Sequence, residues 1–226
     1  MKEILQLQDR LDFLNTQEAC RDSFMEYIRY IWPGFIEGEH HRVIAERLTA
    51  VAKGELKRLI INMPPRHTKS EFASIYFPSW MMGLQPNLKI MQTTHTADLS
   101  INFGRKVRNL MDTEEYVKIF QDVNLAADSK SAGKWQTSKG GEYFAAGVGG
   151  AIAGRGADLL IIDDPHSEQD AMSMNLLDSC YEWYTSGPRQ RLQPGGAIVI
   201  VMTRWSTMDL TGRLLTRQTE LNSDQW

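Results

Sequence analysis

Lys69 and Ser70 close the segment MetProProArgHisThrLysSer (63–70), which joins a short apolar run to a helical pattern. A lysine and a hydroxyl residue side by side at a strand-to-helix junction suit the binding of nucleotide phosphates. Backbone N–H groups at the start of a helix face anionic oxygens, the ammonium reaches the terminal phosphates, and the hydroxyl can join a magnesium shell. On this reading Pro65, Arg66, His67, Thr68, Lys69 and Ser70 line the phosphates. Two positions depart from the usual loop, because Met63 and Thr68 stand where glycines are expected. Thr68 matters more, since a β-branched residue resists the left-handed backbone that glycine adopts freely.

A second constellation is LeuLeuIleIleAspAspPro (159–165), four apolar residues followed by two acids. A buried strand of a parallel sheet would deliver both carboxylates to the sheet's carboxyl edge, where ligands of such sheets sit. Asp163 would hold magnesium and Asp164 would orient or deprotonate an attacking water. The plainer alternative is a pair of acids opening a turn before Pro165. Arg155, between Gly154 and Gly156, is a candidate for stabilising the charge that develops as a γ-phosphate is transferred.

These residues need elements to position them. Ile4, Leu5, Leu7, Leu11 and Leu14 fall at helical spacing, and Thr16 offers an N-cap for a second helix running to Trp32. A third helical pattern covers 39–53, with Gly54 as its C-terminal cap. Apolar runs at 57–63, 88–94, 159–162 and 197–202 predict strands, and helices are expected over 70–80 and 97–111. Two short strands near 135–137 and 143–146 predict an antiparallel excursion. Strands this apolar are covered on both faces, so the expected fold class is α/β, a mostly parallel sheet flanked by helices. Residues 1–54 form a helical prefix and 55–226 the core.

Composition sets bounds rather than a function. With 42% hydrophobic and 23% charged residues among 226, the chain can bury one substantial core. A net charge of -3 leaves contact with nucleic acid to local basic patches, such as Arg105, Lys106 and Arg108 on one helix. Two cysteines, Cys20 and Cys180, lie outside any paired metal-ligand spacing. No stretch reaches the ~18 apolar residues of a membrane helix and the N-terminus lacks a signal-peptide core, so a soluble intracellular protein is expected.

Four segments together resemble the N-terminal ATPase domain of the large terminase subunit of tailed bacteriophages. They are ProProArgHisThrLysSerGlu; ThrThrHisThrAlaAspLeu leading into PheGlyArgLysValArgAsnLeuMet; GlyArgGlyAlaAspLeuLeuIleIleAspAspPro; and IleValIleValMetThrArgTrp. The resemblance spans nearly the whole chain in the family's order. It implies a P-loop ATPase core of the additional-strand catalytic glutamate type, using ATP and Mg2+. It also implies double-stranded viral DNA, the portal protein of the procapsid and a small terminase subunit as partners, with action in the host cell cytoplasm. The state implied is a homo-oligomeric ring when assembled, or a monomer in isolation.

The resemblance assigns coupling to Thr203 and Arg204, and makes Arg155 or Arg66 the arginine that acts on a neighbour's ATP or its own. It also places His41 beside His40 where such ATPases contact adenine. Two departures are plain: the second acid of the Walker B strand is Asp164 where the family has Glu, and the family's C-terminal nuclease domain is absent from this chain. Three rival readings are a helicase-like nucleic-acid-dependent ATPase, a metal-dependent nuclease using Asp158, Asp163 and Asp164, and a nucleotide-binding assembly module.

Overall fold

The apolar runs become strands buried from both sides. The computed structural model describes residues 1–127, 131–220 and 224–226. Among these, six strands form one sheet: β1 (Arg58–Asn62), β2 (Lys89–Thr94), β3 (Lys134–Gln136), β4 (Glu142–Gly147), β5 (Ala157–Asp163) and β6 (Leu192–Met202). Their spatial order is β1-β6-β5-β2-β4-β3, and every pairing is parallel except the edge pair of β3 and β4. The predicted excursion is thus only half an excursion: β4 extends the main sheet alongside β2, and β3 alone runs back.

Side chains alternate across the sheet, which places the helices. Leu59, Ile61, Leu159, Ile161, Val199 and Val201 share one apolar cluster with α2 (Phe24–Ile31), α3 (Glu39–Ala52) and α4 (Phe77–Leu84). On the opposite face Leu160, Ile162, Ile198 and Ile200 pack with Tyr184 of α7 (Met174–Ser186) and with Leu210 and Leu214 of α8 (Leu210–Arg217). Residues one apart on a strand point to opposite faces, so a continuous apolar run requires a cover on both. The remaining helices are α1 (Lys2–Asp22), α5 (Ala97–Met111) and α6 (Glu114–Ile119).

The N-terminal helices break at a different place from the one expected. A single helix, α1, runs through Thr16, whose hydroxyl donates back to the carbonyl of Asp12 instead of capping a new helix. Ser23 makes the break, with an extended backbone and a hydroxyl that accepts from the Glu26 N–H. Ile4, Leu5, Leu7, Leu11 and Leu14 are exposed on α1. Gly54 caps α3 as predicted: at φ 77 it lets the Glu55 N–H reach the Ala50 carbonyl and its own N–H reach that of Val51. Among the described residues no helix is long and apolar enough to cross a membrane.

The parallel register decides where chemistry can occur. Asn62 pairs with Met202, Val201 with Asp163, Asp163 with Thr94, and Thr94 with Gly147. Five strands therefore end together, and the loops that follow them converge on one edge.

Candidate functional site

Asp163 is the last residue of β5 and points into the face that carries α2–α4. It is 1% exposed, and its partners come from the helical stretch that follows β1: Ser70 Oγ donates to Oδ1 at 3.1 Å and Ser74 Oγ to Oδ2 at 2.6 Å. Burial pushes this carboxyl up to about 7, and the charge of Asp164 adds to the rise. The two serine hydroxyls and Lys69 oppose that rise and do not cancel it.

Ser74 was not singled out from the sequence. Its signal was its spacing, one helical turn beyond Ser70, on a face that already carried a candidate ligand. The helix here is wound loosely, as a π-helical turn over Glu71–Tyr76, before α4 begins with Pro78 in its first turn. A proline lacks the N–H that would bond the carbonyl four residues back and its ring crowds that carbonyl, here Ser74's, so a widened turn relieves the conflict.

Asp164 turns the chain out of the sheet with φ 39, a left-handed conformation that short polar side chains tolerate better than most. The ends of four strands meet on it. Its N–H donates to Val201 of β6, while its carbonyl accepts from the His95 N–H just past β2. On the side chain, Oδ1 accepts from the Thr203 N–H at 2.8 Å, and Oδ2 lies 3.0 Å from Lys69 Nζ. Thr203 Oγ1 also donates to the Met63 carbonyl at 3.3 Å, which ties the end of β6 to the first residue of the loop after β1. Lys69 is 6% exposed, so its charge is neutralised inside the protein by Asp164.

The loop itself holds two non-glycine residues at positive φ, Arg66 at 64 and Thr68 at 56. Thr68 thus takes the glycine-like conformation that its side chain disfavours. Pro65, Arg66 and His67 are exposed, and His67 Nδ1 lies 2.9 Å from the Pro65 carbonyl. His41 is buried, with Nε2 2.6 Å from Thr68 Oγ1. Arg204 bonds to Asp209, the buried N-cap of α8, at 3.0 Å.

Two candidates do not join this cluster. Arg155 pairs with Glu142 at 2.8 Å and lies 3.9 Å over the Phe144 ring. Phe144 is in register with Met91 and Leu160, so Arg155 sits about 10 Å along the strands from Asp163 and two strands across, too far to act on a phosphate held by its own chain. Asp158 is further still, about 17 Å along β5 from Asp163, where it accepts from the Lys89 N–H at 2.9 Å. A metal site made of Asp158, Asp163 and Asp164 is therefore excluded by strand geometry. Among the described residues no group of three or more His, Cys, Asp and Glu could hold a metal ion. Arg105 and Lys106 are exposed on α5.

Comparison with known proteins leaves the fold as the shared feature. No protein-family model matches the chain. No curated protein matches it by sequence. Among solved structures the chain is similar to the crystal structure of the HK97 bacteriophage large terminase, with a TM-score of 0.54 and 11% identity. The match covers 82% of this chain and 37% of that one, so the chain spans little more than a third of that protein's length. What is shared is a terminase-like mixed α/β fold, which in this chain is a mostly parallel six-stranded sheet flanked by helices.

Proposed function

We propose that this chain is the ATP-hydrolysing part of a viral DNA-packaging motor. It is read as a P-loop ATPase of the additional-strand type, with residues 55–226 as its core and 1–54 as a helical segment packed on it. The observation that carries this reading is the 3.0 Å pair between Lys69, delivered by β1, and Asp164, delivered by β5, with β6 inserted between those two strands. An inserted strand between the phosphate-loop strand and the acid-bearing strand is the arrangement that the additional-strand type requires. The likeness to the HK97 large terminase adds support at the level of fold.

In this reading the backbone of 65–70 and the ammonium of Lys69 bind the phosphates of ATP. Ser70 and Asp163 suit magnesium, because both offer hard oxygen donors and the hydrogen-bond partners of the buried carboxyl are the Ser70 and Ser74 hydroxyls. The ion, when bound, neutralises charge on the phosphate oxygens. Water attacks the γ-phosphorus, the bond to the β–γ bridging oxygen breaks, and ADP and phosphate result. Asp164 orients that water and takes its proton once Lys69 has turned to the phosphates.

The Thr203 N–H keeps the Asp164 carboxylate aimed, and Arg66, exposed on the loop, is the arginine available to the developing charge. Thr203 and Arg204 link the site to α8 through Asp209 and so provide a route for coupling. Double-stranded viral DNA, the portal protein of a procapsid and a small terminase subunit are the partners, met as a ring in the host cell cytoplasm.

Magnesium-dependent phosphate release from ATP is the test. Lys69→Ala is expected to lower it by about a hundredfold or more. Hydrolysis that survives this change at wild-type rate overturns the reading. Stimulation by purified empty capsids separates packaging from a helicase-like activity, which nucleic acid alone would stimulate.

A further inference from the structure

Thr68 presents a physical problem that the loop does not solve by itself. It sits at φ 56 in a segment where Arg66 is also left-handed. A non-glycine residue is strained there, and a β-branched one is held only if its surroundings fix it.

Those surroundings centre on His41. The Gly38 N–H donates to His41 Nδ1 at 2.9 Å, so Nδ1 is the unprotonated nitrogen and Nε2 carries the hydrogen. Nε2 then donates to Thr68 Oγ1 at 2.6 Å, and Thr68 Oγ1 donates onward to the His67 carbonyl at 2.7 Å. The imidazole is fixed in turn by Phe35, with ring centres 4.8 Å apart, and by Phe72, stacked at 5.0 Å. Phe72 belongs to the helical stretch that begins at the loop, and its N–H donates to the Thr68 carbonyl. Burial, helped by the neighbouring His40, lowers the His41 pKa and favours this neutral form.

We infer that His41 is a positioning residue that holds Thr68 in the left-handed conformation, and so sets the shape of the phosphate loop where glycine would otherwise do so. The inference rests on the reading of 63–70 as a nucleotide loop. It assigns His41 to the loop rather than to the adenine.

A double-mutant cycle tests it in two readouts: the affinity for magnesium-ADP and the unfolding midpoint without nucleotide. His41→Ala is expected to weaken binding about three- to tenfold, the range of one buried hydrogen bond. His41→Gln, which keeps a donor near the Nε2 position, recovers part of that loss, and His41→Asn does not. Thr68→Val, which keeps the β-branch and loses the hydroxyl, weakens binding at least as much as His41→Ala.

In a Thr68→Gly background His41→Ala adds no further loss, because glycine needs no support at φ 56. An equal loss from His41→Ala in both backgrounds overturns the inference and returns His41 to direct contact with the nucleotide. Additive effects of His41→Ala and Thr68→Gly on the unfolding midpoint overturn it without reference to any ligand. Should the wild-type chain bind no nucleotide, the reading of the site fails instead, and the unfolding cycle still decides whether His41 holds the loop.

Discussion

The two ends of the sheet carry charges under opposite rules. At the amino end Arg155 pairs with Glu142, and Asp158 accepts from the neighbouring backbone of Lys89. These contacts are partly exposed, with the Arg155 and Glu142 side chains 27% and 25% accessible. At the carboxyl end Lys69, Asp163 and the serines are drawn from segments about ninety residues apart and are largely shielded from water. Exposed pairs contribute little to stability, and buried charges cost stability unless something else requires them. The difference marks the carboxyl end as the place where the fold accepts a penalty, as functional sites do.

The comparison breaks most sharply at Asp164. Asp164→Asn keeps a carbonyl for the Thr203 N–H and removes the carboxylate proposed as the base, so on that proposal ATP turnover is expected to drop by about a hundredfold or more while magnesium-nucleotide binding persists. Turnover and binding measured on one preparation check this; loss of both together would count against the assigned role. No such drop is expected from a substitution at the amino end.

Asp163 sharpens the contrast through pH. Its folded pKa, about 7, lies above the ordinary carboxylate value of 3.8, so the folded state holds a proton that the unfolded chain releases. Stability from this group is complete below about pH 4 and is lost as pH rises through 7. Asp163→Asn does not titrate. At pH 8 it should therefore raise Tm, by on the order of 5 °C, with the gain disappearing towards pH 4. Thermal unfolding of both proteins across that range, without nucleotide, decides the matter.

Ser74→Ala removes the shorter of the two hydroxyl contacts to Asp163 and should push that carboxyl's pKa higher still, with a smaller loss of stability at pH 8, about 1–2 kcal/mol. Denaturant unfolding at pH 8 measures it. The smallest effect belongs to the amino end. Arg155→Ala is expected to change stability by under about 1 kcal/mol and to leave hydrolysis by the isolated chain within about twofold. A large loss of hydrolysis would show that Arg155 reaches a site other than the one at its own sheet edge.

Much of the fold was legible because burial on both faces leaves a local mark. The runs at 57–63, 88–94 and 159–162 became β1, β2 and β5, and the helix over 97–111 became α5 with those bounds. The break in the N-terminal helices was not legible, since Thr16 and Ser23 are both good capping residues. The choice fell to Ser23 because Cys20 and Phe24 on either side of it are buried against the body, whereas the turns around Thr16 have few such contacts. Arg155 lies between two glycines, and nothing local announced Glu142 or Phe144 as its partners. Ser74 lay one turn past a residue already suspected, hidden by a π-helical turn whose cause is Pro78.

Residue type and short-range position were settled by the sequence alone: a lysine and a serine closing the loop after one apolar run, and two aspartates at the end of another. Hydrophobic periodicity is local, so it can say that a segment is a buried strand and where that strand stops. It cannot say which strand lies next to which, because parallel neighbours are joined by long crossovers whose lengths permit several orders. Only the tertiary structure inserted β6 between β1 and β5, brought Lys69 to 3.0 Å from Asp164, and held Thr68 at φ 56 through a histidine 27 residues earlier.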